Sequence, residues 1–143
     1  MTAFDKVSFL KKVPLFKNLT DKQLKTIAGR LVERKFKAGD MIVKQGTGGE
    51  GFFMVSTGTA EAVFKNKEGE DVVVNTFEAT DFFGELALLS EGTRTATIVA
   101  KDDVTTQALT RWDFRAILVE DAEMAVTILE ELAIRFRTLL STM

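Results

Sequence analysis

The sequence predicts an α+β fold, with helical segments at both ends and an all-β segment between them. Apolar residues recur at helical spacing before position 32 and after position 110. Between them, short segments rich in Val, Ile, Phe and Thr alternate with Gly, Asn and Asp. Many short strands at such spacing indicate an antiparallel sandwich or barrel. With 143 residues, 45% of them hydrophobic, the chain can build one sizeable core. We predict a single domain over 1–143, divided into 1–31, 32–110 and 111–143.

Two helices are predicted in the N-terminal segment. Phe4, Val7 and Leu10 share one helical face, and this helix should end near Pro14, since the residue before a proline disfavours helical geometry. The sequence 20–23, Thr-Asp-Lys-Gln, fits a capping box. A second helix is therefore predicted over 21–31, with its apolar face formed by Leu24, Ile27, Ala28 and Leu31.

The middle segment predicts strands separated by turns. Gly39, Gly58 and the sequence 67–70 (Lys-Glu-Gly-Glu) mark turns, because glycine adopts positive φ at little cost. The run Leu-Ala-Leu-Leu at 86–89 is too compact for another hairpin strand and predicts a helical turn. The predicted strands are 32–37, 41–45, 52–57, 59–65, 71–77, 95–100 and 104–110.

Helical spacing returns in the C-terminal segment. Asp113 is the predicted cap of one helix and Asp121 of the next. The second helix carries apolar residues at alternating spacings of four and three, which is typical of a coiled-coil seam. This stripe could pack on the β-segment, form a dimer seam or close over a ligand; its members are Ala125, Leu129, Leu132, Phe136, Leu139 and Met143.

The composition excludes several classes of function. With no Cys, the chain has no disulfides, thiolate nucleophiles or Cys-based metal sites, and with no His it lacks the usual proton shuttle. We therefore expect no metal site and no catalytic residue. The net charge of −2 gives no general footprint for nucleic acid. No run of eighteen apolar residues predicts a membrane span, and the N-terminus does not resemble a signal peptide, so a cytoplasmic location is expected.

One glycine motif is misleading. The sequence 46–51, Gly-Thr-Gly-Gly-Glu-Gly, satisfies the dinucleotide-binding pattern G-x-G-x-x-G. That pattern requires a following helix, whose N-terminus carries the pyrophosphate. Here Phe-Phe-Met-Val follows at 52–55 and predicts a strand, so the glycines are interpreted as a turn between strands.

The segment 81–97 carries the chemistry of ligand binding. Gly84 opens a short helical turn, whose N–H groups can bind an anion. Arg94 adds a permanent positive charge and a bidentate donor, and Thr95 adds a hydroxyl. Glu85 suits a ligand that also offers hydroxyl donors, as a ribose does. These features together indicate a phosphorylated sugar or nucleotide.

The same segment resembles the phosphate-binding cassette of the cyclic-nucleotide-binding domain family. Phe-Gly-Glu-Leu-Ala-Leu-Leu at 83–89, followed by Arg-Thr-Ala at 94–96, matches the family pattern almost letter for letter. Earlier family landmarks appear in order at 13–16, 37–42, 45–46 and 53–58. Two departures are Thr93, where the family often has proline, and the stretch 78–81, which lacks a usual glycine.

The resemblance implies an eight-stranded, jelly-roll-like β-roll with the cassette at 83–95. It implies that Arg94 and the N–H groups of Ala87 and Thr95 hold the cyclic phosphate, and that Glu85 and Gly84 hold the ribose. The candidate pocket wall comprises Phe83, Leu86, Ala62 and Val74, and the candidate base contacts from the last helix are Leu139 and Leu140.

The expected function is that of a non-enzymatic sensor whose ligand is cAMP, with cGMP also accepted. A hydrophobic hinge at Phe114 and Leu118 would follow the cassette, and the C-terminal helix would close over the base. Expected partners are the nucleotide and either a second copy, through that helix, or an effector protein. The alternatives are a degenerate β-roll that mediates protein contacts and a fragment of a larger cAMP-responsive regulator. A transcription regulator is disfavoured, because no helix-turn-helix fits after the last helix within these 143 residues.

Overall fold

A computed structural model describes residues 3–46, 51–90, 92, 94 and 96–143. The chain forms two compact units, one helical (1–30 and 112–143) and one β (31–111). The α+β fold predicted from the sequence is confirmed. The helices are α1 (Ala3–Leu10), α2 (Asp21–Ala28), α3 (Arg111–Glu120) and α4 (Ala122–Ser141). The strands are β1 (Val32–Phe36), β2 (Met41–Val43), β3 (Gly51–Thr57), β4 (Ala60–Lys65), β5 (Asp71–Phe77), β6 (Phe82–Phe83), β7 (Thr97–Ala100) and β8 (Val104–Thr110).

In the β unit, the described strands form two four-stranded antiparallel sheets. Their orders are β1-β8-β3-β6 and β2-β7-β4-β5. The inward-facing side chains of both sheets make one core, in which Phe53 stacks on Phe83 with ring centroids 5.2 Å apart. Phe77 also packs on Phe83, with ring centroids 5.1 Å apart. Side chains alternate along a strand, so β4 buries Ala60 and Ala62, whereas β3 is buried at every position over Gly51–Val55.

The helical unit confirms two predicted caps and corrects a third. Thr20 and Gln23 form the capping box of α2, which ends at Ala28 rather than at 31. Asp121 caps α4 by accepting the Met124 N–H. Asp113 is not a cap, because α3 begins at Arg111; it lies in the first turn.

Charged pairs join segments of this unit that are distant in sequence. Asp113 pairs with Arg30 at 3.3 Å. Lys11 Nζ lies 2.7 Å from Asp21 Oδ1, and this hydrogen bond, with the lysine charge, lowers the pKa of Asp21. Asp21 stands in the first turn of α2, where a negative charge is also stabilised by the helix dipole.

The buried face of α4 is not the apolar stripe singled out in the sequence. Met124, Ile128 and the charged Glu131 are the buried residues of this helix. Glu131 is only 3% exposed, and its carboxylate is met by Lys17 at 3.3 Å, Arg135 at 3.5 Å and the Asn18 amide at 3.3 Å. The predicted stripe is largely exposed instead, with Leu129 at 64% and Phe136 at 60%. None of the described helices is long and apolar enough to cross a membrane.

The turn at 78–81 is closed by a threonine in left-handed geometry. Thr80 has φ +80°, and it is the one non-glycine residue with positive φ in the described part of the chain. Its N–H donates to the Val55 carbonyl at 3.0 Å, and the Asp81 N–H donates to the Glu78 carbonyl at 2.9 Å. These bonds hold a β-branched residue in a conformation that costs free energy.

Thr80→Gly should therefore stabilise the protein by about 0.5–1 kcal/mol, because glycine relieves the strain at some cost in unfolded-chain entropy. The measurement is urea unfolding followed by circular dichroism. Thr76→Gly, in extended strand β5, is the matched control and should destabilise. Equal destabilisation by both substitutions would contradict the strained turn.

Candidate functional site

Gly84 shapes the entrance to the cassette. It adopts φ +84° and ψ 19°, a left-handed conformation, and directly precedes a 3₁₀ helix at Glu85–Leu88. This confirms the short helical turn predicted for the segment. A β-carbon on Gly84 would lie 2.5 Å from the Gly51 carbonyl oxygen and 2.9 Å from Arg94 Nη1. Glycine is thus required here both by the backbone angle and by the closeness of Arg94.

Arg94 is held in place through its side chain and its backbone. Its Nη2 donates to the Gly51 carbonyl at 2.7 Å, and its own carbonyl accepts from the Gly46 N–H at 2.9 Å. Gly51 begins β3, where a β-carbon would clash with the Leu109 carbonyl. Gly51 therefore positions the guanidinium, and Gly46 holds the backbone of the same residue. The Gly51 contact escaped the sequence analysis, since no local pattern marks a backbone carbonyl as an anchor.

The start of β3 also decides the meaning of the glycine motif at 46–51. A strand, and not a helix, follows the last glycine of this motif. The rejection of a dinucleotide fingerprint is therefore confirmed, because no helix N-terminus is present to receive a pyrophosphate there. Positions 47–50, like Thr95, lie outside the described residues.

A cleft of about 390 Å³, here called the inner cleft, opens beside Arg94. Its volume lies in the range of small-molecule sites, about 300–1,000 Å³. Among its described lining residues, Arg94 is the only cation and Asn75 the only uncharged polar side chain. The others are Val43, Ala62, Val74, Phe77, Phe83, Ala96 and Ile98. This lining suits an anionic group attached to a flat, apolar body.

The structure brings together four of the predicted site residues at the inner cleft: Arg94, Phe83, Ala62 and Val74. Gly84 adjoins them through Arg94. Glu85 and Ala87 are half-buried in the 3₁₀ helix but do not line this cleft, and Leu86 is 58% exposed. The Ala87 N–H, predicted to hold phosphate, donates to the Gly84 carbonyl at 3.0 Å.

The remaining predicted contacts lie in another part of the chain. Leu139 and Leu140 belong to α4 and are 59% and 50% exposed. Phe114, the proposed hinge residue, is fully buried and packs on Phe16 with ring centroids 5.7 Å apart. In the described part of the chain, no three acidic, Cys or His residues form a cluster able to hold a metal ion.

Comparison with known families identifies the fold. The family model described as the cyclic nucleotide-binding domain matches residues 33–121, which is more than half of the chain. The chain belongs to this family. The resemblance drawn from the sequence is thereby confirmed.

Individual relatives of the cyclic nucleotide-binding domain are regulatory proteins. The cAMP-dependent protein kinase regulatory subunit of Aspergillus fumigatus is 40% identical over 116 residues; the match covers 80% of this chain but 27% of that protein. The N-terminal domain of a transcriptional regulator from Streptomyces coelicolor superposes with a TM-score of 0.87 at 27% identity, covering 94% of this chain and 96% of that one. The regulatory domain of Toxoplasma gondii protein kinase A, crystallised with cAMP, gives a TM-score of 0.70 at 28% identity, over 93% of this chain and 50% of that one.

Proposed function

We propose that this domain binds cAMP in the inner cleft and acts as a non-enzymatic regulatory sensor. The observation that carries the proposal is the anchored guanidinium of Arg94 at the mouth of an apolar cleft of ligand size. Such a cation, shielded from bulk water on one side, is a strong partner for a singly charged cyclic phosphate. The cAMP that accompanies the Toxoplasma regulatory domain in its crystal structure supports this choice of ligand.

The cassette supplies the other contacts in this proposal. The Ala87 and Thr95 N–H groups would share the phosphate with Arg94, and Glu85 with Gly84 would bind the ribose hydroxyl. The Ala87 N–H already donates to the Gly84 carbonyl at 3.0 Å. To bind the phosphate, this N–H must either leave that carbonyl, which loosens the turn, or donate to both acceptors at once. Binding therefore favours a rearranged cassette, and a ligand can move the cassette only by its differential affinity for the two arrangements.

The direct test is titration calorimetry of the protein with cAMP and cGMP, with 5′-AMP as the matched control. A saturable signal at one site per chain is expected for the cyclic nucleotides, and weaker binding for 5′-AMP, whose dianionic, open phosphate does not fit a cassette built for a monoanion. Chromatography of the recovered cAMP should show no conversion to AMP. Absence of binding to either cyclic nucleotide would leave a protein-interaction module as the function.

Selectivity between the two nucleotides should be modest. The apolar wall at Ala62, Val74 and Phe83 desolvates the polar edge of adenine at less cost than that of guanine. The Thr95 hydroxyl can accept a hydrogen bond from the guanine 2-amino group. This bond would offset part of the higher desolvation cost of guanine. One neutral hydrogen bond contributes about 0.5–1.5 kcal/mol, so the two affinities should differ by less than about tenfold, with cAMP the stronger.

Thr95→Ala tests this assignment against both ligands in one protein. We expect cGMP affinity to fall several-fold more than cAMP affinity, because only guanine loses a hydrogen bond. The cAMP titration of the same variant is the internal control. If the affinities for cAMP and cGMP fall equally, Thr95 contacts the phosphate or only stabilises the strand, and it does not contact the base.

The C-terminal helix would cover the bound base through Leu139 or Leu140. Leu139→Ala and Leu140→Ala, singly and together, should speed cAMP dissociation by about tenfold, as expected for the loss of a buried leucine contact. Stopped-flow displacement of a fluorescent cAMP analogue measures the rate. Point substitutions are preferable to truncation after Glu131, which would remove the Arg135 partner of that buried carboxylate.

The matched control for the lid is Val119→Ala, which removes another exposed apolar side chain, this one from α3. It should leave the dissociation rate unchanged. Unchanged cAMP dissociation rates in the Leu139 and Leu140 variants would contradict the lid. The exposed stripe of α4 would then be a candidate contact with a second copy of the chain, and sedimentation of the same proteins would test this.

A further inference from the structure

Charge is unevenly distributed along the chain. Residues 1–30, which belong to the helical unit, include seven basic and two acidic residues, whereas residues 31–143 include twelve basic and nineteen acidic ones. The net charge of −2 therefore combines a basic N-terminal segment with an acidic remainder. A surface of one sign on a molecule of the other sign favours partners whose charge is opposite to that surface.

Four lysines of the N-terminal segment lie around the start of α2, and we call them the basic surface: Lys11, Lys12, Lys22 and Lys25. Lys11 Nζ lies 2.7 Å from the Asp21 carboxylate. Lys25 also acts on this carboxylate, because its charge, after that of Lys11, lowers the pKa of Asp21. Lys22 and Lys25 are three positions apart on α2 and are therefore neighbours on its surface. Lys12 directly follows Lys11 in the chain.

The basic surface has more cations than its one carboxylate can neutralise. Asp21 is bonded to Lys11. In the part of the chain that the structure describes, Lys12, Lys22 and Lys25 form no ion pair, and all three residues are exposed. Neighbouring ammonium groups repel one another, and a bound anion offsets this repulsion. The surface is therefore complementary to a group of negative charges.

The size and the apolar content of the basic surface favour a short acidic segment over an extended polyanion. α2 has eight residues, so its lysines span at most about 12 Å. A membrane or a nucleic acid duplex extends well beyond this distance and is repelled by the acidic remainder of the chain. Membrane-surface helices also insert apolar side chains, and no large apolar side chain is exposed among those described between positions 5 and 30.

We propose that the basic surface is a docking site for a short acidic segment of a partner protein. Carboxylates of that segment pair with Lys12, Lys22 and Lys25, and compete with Asp21 for Lys11. The contact consists of exposed ion pairs, so it is weak and depends on salt, which screens charges beyond about 10 Å at 0.1 M. This docking is independent of nucleotide binding in the inner cleft.

The experiment titrates ¹⁵N-labelled protein with the peptide acetyl-(Asp-Glu)₄-amide in low salt and follows NMR spectra. Saturable shifts are expected at the Lys11, Lys22 and Lys25 amides, with affinity at least about fivefold lower in 0.5 M salt. The uncharged peptide acetyl-(Asn-Gln)₄-amide is the matched control and should not bind. Equal affinity for the two peptides, or shifts confined to other residues, would overturn the docking site.

Charge reversal supplies a matched pair of double variants. Lys22→Glu with Lys25→Glu should weaken peptide binding by about tenfold or more. Lys35→Glu with Lys37→Glu, at two exposed lysines of the β unit, should weaken it by less than about twofold. Urea unfolding shows whether each variant is folded. Equal losses in the two variants would mean that the peptide responds only to net charge, and would overturn the site.

Asp21→Asn has the opposite expected effect. It removes the carboxylate that competes with the peptide and releases the Lys11 ammonium, so peptide affinity should rise by about twofold or more. Damage to the fold would not produce this gain. An affinity equal to or below that of wild type would contradict the basic surface as defined.

Other occupants are tested at the same concentration of negative charge. Phosphatidylserine vesicles and a DNA duplex should both bind the protein more weakly than the acidic peptide. Tighter binding of either one, lost in the Lys22→Glu, Lys25→Glu variant, would overturn the choice of partner. Self-association in low salt that the same variant abolishes, measured by sedimentation, would assign the surface to a second copy and likewise overturn it.

Discussion

Replacing Arg94 with alanine should lower cAMP affinity by about ten- to a hundredfold or more while the protein stays folded. A hydrogen bond to a charged group contributes roughly 1.5–3 kcal/mol. A guanidinium can donate two such hydrogen bonds to the same phosphate group. No other cation is found among the described residues of the inner cleft, so none can take over. Arg94→Lys keeps the charge but loses the fork and the geometry set by Gly51, so its affinity should fall between those of wild type and alanine.

Calorimetry gives the affinity, and urea unfolding with circular dichroism shows whether each variant is folded. Arg34→Ala is the matched control. That arginine lies in β1 of the same unit, where its guanidinium stands 5.5 Å from the Phe36 ring centroid, and it does not line the inner cleft. It should bind cAMP as wild type does. If the Arg94→Ala protein binds cAMP with an affinity within about twofold of wild type, the assignment of Arg94 to the phosphate is wrong.

Local chemistry in the sequence was sufficient for most of the secondary structure, and failed where an element lacks a local signal. Seven strands follow from alternation and turn residues. β6 was missed because two residues, Phe82 and Phe83, cannot show a period; they form a strand by pairing with Met54 and Phe53. The Asp113 cap was wrong for a related reason, because α3 starts directly where β8 ends and no local pattern fixes that junction.

The buried face of α4 could not be predicted from hydrophobicity. Counting apolar residues selected Leu129 and Phe136, which the structure leaves exposed. The face that is buried includes Glu131, whose carboxylate is compensated by Lys17 and Arg135. Lys17 is 114 positions away in the chain, so no local pattern shows that this glutamate has partners.

The inner cleft was predicted only in part, for the same physical reason. Phe83 and Arg94 belong to one continuous segment, and its pattern indicated them. Val43 and Ile98 reach the cleft because β2 and β4 pair with opposite sides of β7, a register between strands far apart in sequence. The Gly51 carbonyl is likewise 43 residues from the side chain that it anchors.

Gly84→Ala should both destabilise the protein and weaken cAMP binding. Alanine in left-handed geometry costs about 1–2 kcal/mol, and a β-carbon 2.5 Å from the Gly51 carbonyl forces the backbone or Arg94 to move. With an overpacking cost of about 1–3 kcal/mol, we expect a loss of about 2–4 kcal/mol in unfolding free energy. Because Arg94 Nη1 would lie 2.9 Å from that carbon, the guanidinium must shift, and cAMP affinity should fall by about tenfold or more.

Gly39→Ala separates the two causes of this effect. Gly39 has φ +90°, so alanine there meets the same conformational penalty, but nothing lies within 4 Å of the added carbon. Its cost should be about 1–2 kcal/mol, with unchanged cAMP affinity. The difference between the two variants in urea unfolding then measures the contact with Gly51 and Arg94, and the difference in calorimetry measures its effect on the ligand. If Gly84→Ala loses no more affinity than Gly39→Ala, the guanidinium does not depend on Gly84 for its position.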